Sequence, residues 1–208
     1  MLTELERDAL TELANLGMGR AAASLSRMVR EPVQLSVPLV ELLSPSEVAE
    51  RMGSRDPSVF VSIREDFNGS FPGRALLLFP EHNSLELVRA VVDPATSLEE
   101  VADLEQEALA EVGNVILNGF LGTIANVLRR RMNVGLPEVT RGSTEALLEL
   151  PGPVSGPDVQ ILFLTVDFNV RHRGIQGYLA VLMNFASLAS LRLLVQEFVG
   201  GLSGKAGT

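Results

Sequence analysis

Cysteine is absent from the 208-residue chain, and so is tryptophan. Without thiols there are no disulfides, no thiolate nucleophile and no Cys-ligated zinc, a composition that suits a reducing compartment. Aromatic content is only 5%, which leaves few stacking platforms for single-stranded nucleic acid. Positive charge is also scarce. Seventeen Lys and Arg against 26 Asp and Glu give a formal net charge of -9, opposite to the basic footprint that phosphate backbones and anionic membrane faces attract. No uninterrupted apolar run approaches the roughly 18 residues of a membrane span. The start MLTELERDAL lacks the basic-then-apolar order of a secretory signal. These absences predict a cytoplasmic chain that binds a protein or a small molecule, with no nucleic acid partner and no membrane insertion.

What is present is written twice. DALTELAN (Asp8 to Asn15) and EALAEVGN (Glu107 to Asn114) lie 99 positions apart. The same offset carries Ala9, Leu10, Glu12, Asn15 and Pro38 onto the identical residues Ala108, Leu109, Glu111, Asn114 and Pro137. Further along, VFVSIREDF (Val59 to Phe67) answers VQILFLTVDF (Val159 to Phe168), and GRALLLF (from Gly73) answers GYLAVLM (from Gly177). These β-branched, apolar runs read as strands. SLELVRAVV (from Ser84) answers SLASLRLLV (from Ser187), each with helical spacing of apolar residues. The unit is a long helix, a strand, a strand pair and a helix. NGSFPGR (Asn68 to Arg74) reads as a hairpin turn, Pro94 as a helix stop and Ser97 as the N-cap of the next long helix. The expectation is one α+β domain over 1–208, with repeat 1 at about 1–95, repeat 2 at about 96–200 and a flexible Gly-rich tail at 201–208. The repeats are expected to pair about a pseudo-twofold axis around a shared antiparallel sheet flanked by helices.

At 100° per residue, Asp8, Glu12, Asn15 and Gly19 share one helix face, opposite Leu10, Leu13, Gly17, Ala21 and Met28. In the second copy Glu107, Glu111, Asn114 and Asn118 oppose Leu109, Val112, Ile116, Phe120 and Val127. A solvated helix face explains any one such stripe. Asn, however, is a mediocre helix former, because its side chain competes for backbone hydrogen bonds. A mid-helix Asn three residues after a Glu, twice, with a Pro 23 positions later each time, exceeds what propensity selects. Glu can pair with a partner's Lys or Arg, and the amide can donate to and accept from water. Neither octet holds a nucleophile, a metal set or a His base, so such a helix would complete a site belonging to another molecule.

The pattern of Asp or Ser, Glu, Asn and then Pro resembles the CheC, CheX and FliY family of bacterial and archaeal chemotaxis phosphatases, with the doubled layout closest to its CheC branch. The resemblance covers nearly the whole chain. It implies hydrolysis of the phospho-aspartate of the response regulator CheY. The Glu forms a salt bridge to the regulator's Lys, and the Asn positions the attacking water. The regulator supplies the Mg²⁺, and the phosphatase has no cofactor of its own. By position, Glu12 and Asn15 form one catalytic pair and Glu111 and Asn114 the other. Asp8 and Glu107 support them, although Glu107 departs from the Asp or Ser of the family pattern, as does Ala14 from the Gly that Gly113 keeps. Pro38 and Pro137 are structural, at the exit from helix to first strand. The alternative reading is a non-catalytic module that binds phospho-CheY, or an adaptor to the deamidase CheD.

Other motifs carry less. GMGRAA (Gly17 to Ala22) looks like a phosphate loop but sits inside the helical pattern, where close helix packing explains its glycines better. His82 and His172 stand apart from acidic residues at ligand spacing. RRRM (Arg129 to Met132) ends a helix, where cations favour the dipole.

Overall fold

The structure, a computed structural model, describes residues 2–53, 59–92, 97–149, 154, 156, 158–170 and 173–203. Pro94, His172 and the tail from Gly204 lie outside the described residues.

Helix α1 (Glu4–Val29) starts where the sequence caps it. The Thr3 hydroxyl accepts the Glu6 N–H and the Glu6 carboxylate accepts the Thr3 N–H, and a left-handed Arg30 closes the far end. Strand β1 (Val33–Leu43) follows, then α2 (Pro45–Gly53), β2 (Phe60–Gly69), β3 (Gly73–Pro80) and α3 (Glu81–Val91). The second half runs α4 (Leu98–Val127), β4 (Met132–Val134), β5 (Glu138–Gly142), α5 (Thr144–Leu148), β6 (Gln160–Val170), β7 (Arg173–Met183) and α6 (Phe185–Ser203). The expected unit needs three amendments. A short helix, α2 or α5, stands between the first strand and the strand pair. The first strand of the second half is split into β4 and β5. Gly201 and Ser203, expected in a loose tail, lie in the last turn of α6.

Among the described residues the strands form one antiparallel sheet in the order β1-β6-β7-β3-β2-β4, with β5 also on β2. The two inner strands of each half stay together, while the outer strands change sides. β1 pairs with β6, and β4 and β5 pair with β2. This order is compatible with two copies related by a pseudo-twofold axis between β3 and β7. The expected hairpin is present, with Phe67 opposite Gly73.

Strand alternation separates two cores. Val61, Ile63, Phe67, Leu77, Leu164 and Leu179 face a layer made of α1, α3, α4 and α6. Phe60, Leu76, Leu78, Phe163 and Tyr178 face the other way, against Val48 and Met52 of α2 and Leu147 of α5. β3 is therefore buried on both faces along its whole length. Leu104–Val127 of α4 is long and apolar enough to cross a membrane by length and composition alone, and 56% of its most apolar window is buried inside the fold. That burial is ordinary for a helix packed against both a sheet and a neighbouring helix.

Candidate functional site

The first octet lies in the N-terminal half of α1 and the second in the middle of α4, and the crossing of these helices sets which faces they show. A Cβ on Gly17 would come within 2.9 Å of the Phe120 Cα, and one on Gly119 within 2.9 Å of the Ala21 Cβ. Glycine is required for that approach. Leu10, Leu13, Leu109, Val112 and Ile116 are buried beneath it, whereas Asp8, Glu12, Gly19, Glu107, Glu111, Asn114 and Asn118 are exposed. Gly113 fixes the second octet further, because any Cβ there would collide with the Ile63 side chain on β2. Gly19 meets nothing within 4 Å, so packing explains the first glycine of GMG and not the second.

Asn15 breaks the symmetry. It is half-buried, its Oδ1 accepts the Val37 N–H at 2.9 Å, and its Nδ2 donates to the Val37 carbonyl at 3.2 Å and to the Thr11 carbonyl at 3.1 Å. The reason lies in β1. Its register with β6 shifts between Ser36 and Leu39, leaving Val37 and Pro38 opposite Val166. Two residues opposite one make a β-bulge, and a bulged residue loses its ladder partners. Asn15 substitutes for them with one amide. Asn114 makes no such clasp. Its Oδ1 accepts from Asn118 Nδ2 at 2.6 Å, on the exposed stripe.

Pro38 therefore lies inside β1 at the bulge, and Pro137 between β4 and β5, rather than at the helix exit. A proline has no N–H to offer a ladder, so a bulge or a break is where it fits. In the second copy Glu138 pairs with Arg64 and Val134 with Phe67, so Gly135, Leu136 and Pro137 stand opposite Glu65 and Asp66. The Gly135 N–H still reaches the Asp66 carbonyl at 2.8 Å. The residues before the two prolines differ sharply. Val37 is 2% exposed and Leu136 is 88% exposed.

Glu65 escaped the sequence reading, although VFVSIREDF carries the signal. With period 2, Val61, Ile63, Glu65 and Phe67 share a face, so Glu65 is a carboxyl in a core row. It is fully buried on the face toward α4, and neither carboxyl oxygen has a hydrogen-bond partner among the described residues. Burial pushes its pKa up to about 7. Glu6 behaves oppositely. Burial opposes its charge, yet hydrogen bonds from Arg192, the Thr3 backbone and Gln196 outweigh it and hold the carboxyl down to about 2.

Among the described residues, no three His, Asp or Glu side chains are placed to hold a metal ion. His82 lies exposed on α3. Arg129 takes a left-handed conformation just past α4 and Arg130 approaches Glu197 at 3.5 Å, which fits an end-of-helix role for that basic run.

Each of the two long helices that cross above the antiparallel sheet carries an exposed Glu and, one turn on, an Asn. No family model matches the chain. It is similar to "CheY-P phosphatase CheC" of Bacillus subtilis, 24% identical over 160 residues that make up 72% of this chain and 75% of that protein. It is similar to "Flagellar motor switch phosphatase FliY" of the same organism, 22% identical over 172 residues, 82% of this chain but only 43% of that protein. Among solved structures, Thermotoga maritima FliY has the same fold, with a TM-score of 0.72 over 95% of this chain and 99% of that one at 17% identity. The chain is thus a distant relative of the CheC and FliY proteins.

Proposed function

We propose that this chain hydrolyses the phospho-aspartate of a CheY-like response regulator, and that the α4 stripe is its open site. One observation carries the reading. Glu111 and Asn114 stand exposed one turn apart on a helix whose opposite face is locked, by Gly113 against Ile63 and by Gly119 against Ala21. The similarity to CheC and FliY, both named as phosphatases, supports the same chemistry at a distance, and the composition suits a cytoplasmic setting.

In this mechanism α4 docks beside the regulator's acyl phosphate. The Glu111 carboxylate pairs with a Lys of the regulator, fixing the helix. The Asn114 amide holds a water in line with the phosphorus. Water attacks, the aspartyl oxygen leaves with the bonding pair, and phosphate and a free aspartate result. The regulator holds the Mg²⁺ that neutralises the phosphoryl oxygens. Phosphoryl transfer depends mainly on positioning and charge stabilisation, so a single amide is a sufficient addition. Glu107, one turn before Glu111, extends the acidic stripe toward the same partner.

The test is the decay rate of radiolabelled phosphorylated regulator. Wild type is expected to accelerate decay and Asn114→Ala to lose roughly 10²-fold of that acceleration, the range of one positioned group. Glu111→Gln is expected to weaken binding more than turnover. Unchanged decay with wild type would sink the phosphatase reading. At α1 a second reading has specific support. Asn15 is tied to Val37 while Asp8 and Glu12 remain exposed, so that stripe also suits regulator binding without turnover.

A further inference from the structure

Aligned at their shared Asp-Phe ends, VFVSIREDF and VQILFLTVDF place Glu65 where the other copy has Val166. Both residues lie on the helix-facing side of the sheet, and each stands opposite the other copy's irregularity. Val166 faces the Val37–Pro38 bulge and Glu65 the Gly135–Pro137 break. In the first copy the residue before proline is buried, and its backbone is clasped by the signature Asn. In the second the residue before proline is turned out, and the signature Asn is free of it.

We infer that the residue before each proline is a latch on the signature asparagine, closed at Val37 and held open at Leu136 by the buried carboxyl of Glu65. The physical reason is local. Turning Val37 inward places it against apolar Val166. Turning Leu136 inward would pack an apolar side chain against an already buried carboxyl group that has no polar partner to offset its burial. With no inward residue, no backbone amide and carbonyl are presented to Asn114, and its amide stays outward. Glu65 and Val37 are thus positioning residues, acting through Asn114 and Asn15. Closing the latch commits Asn15 to two hydrogen bonds with Val37, so only about a tenth of molecules or fewer would offer that amide to a water at any moment. The catalytic consequence rests on the phosphatase reading; the latch itself does not.

Glu65→Val gives the first copy the second copy's residue, and it removes a buried unpaired carboxyl, which favours folding. Backbone amide exchange and phosphorylated-regulator decay are measured on wild type, Glu65→Val and Asn15→Ala. Glu65→Val is expected to slow exchange of the Leu136 amide about tenfold or more, with the exposed Asn133 amide as unchanged reference, and to reduce phosphatase activity several-fold. Asn15→Ala is expected to accelerate exchange of the Val37 amide. Unchanged Leu136 exchange in Glu65→Val, or unchanged Val37 exchange in Asn15→Ala, overturns the latch. If both amides respond but wild type never accelerates decay, the latch stands and the phosphatase reading falls.

Discussion

Asn15 and Asn114 are the same residue in the same motif, yet they face different physical demands. Removing the Asn15 side chain leaves the Val37 N–H and C=O without partners in a half-buried bulge, and an orphaned polar group costs about 1–3 kcal/mol. Asn15→Ala is therefore expected to destabilise the fold by about that amount and lower Tm by several degrees. Asn114→Ala should stay within about 0.5 kcal/mol, because its side-chain hydrogen bond to Asn118 lies on the surface. Thermal denaturation of both variants checks the contrast. Equal Tm values would remove the structural role assigned to Asn15. Glu65 gives a pH prediction with a definite sign. Its folded pKa of about 7 lies above the ordinary 4.5, so between those values the folded state retains a proton that the unfolded state releases. Stability should fall as pH rises through 4.5 to 7 and level off above. Glu65→Gln should flatten that slope and gain up to about 3 kcal/mol at pH 8, measured by urea unfolding.

At the scale of elements, much was legible because each long helix repeats an apolar face and each strand alternates. The polar stripes of the octets and the paired strands follow from those two periods, and the hairpin from the Gly and Pro of NGSFPGR. Less was legible where one element depends on a distant one. The 23-residue interval from Asn15 to Pro38 is visible in the sequence, but its meaning is a side chain replacing lost ladder bonds on β1, 22 residues away. The helix α2 was missed although Ser44 and Glu47 form a reciprocal cap at its start, with the Ser44 N–H donating to Glu47 at 2.7 Å and the Glu47 N–H to Ser44 at 3.3 Å. A nine-residue helix after an eleven-residue strand leaves little periodicity to read, and the cap was the better signal. Gly113 offers an element-scale test. Gly113→Ala would drive a methyl into Ile63 and lift α4 from β2, so a loss of about 1–3 kcal/mol is expected. Activity should fall with it, because Asn114 is the next residue. Ala14, the matching position in α1, already carries its methyl fully buried.

For the whole molecule, the polar cluster of Glu6, Arg192 and Gln196 ties the first turn of α1 to α6, joining the two ends of the described chain. Glu6 has a folded pKa of about 2, below its ordinary 4.5. Its stabilisation is thus present above pH 4.5 and is lost as pH falls from there through 2. Acid titration of Arg192→Leu should show a shallower loss across that window than wild type. The sheet's exchanged outer strands have a further consequence during synthesis. β1 finds its partner only when β6 exists, since Leu43 pairs with Ile161 and Val33 with Val170. At roughly 5–20 residues per second, more than a hundred residues of translation leave β1 without its partner for on the order of ten seconds. The nascent chain therefore emerges from the ribosome with an apolar strand uncovered, and the protein should depend on chaperone shielding more than its finished surface suggests.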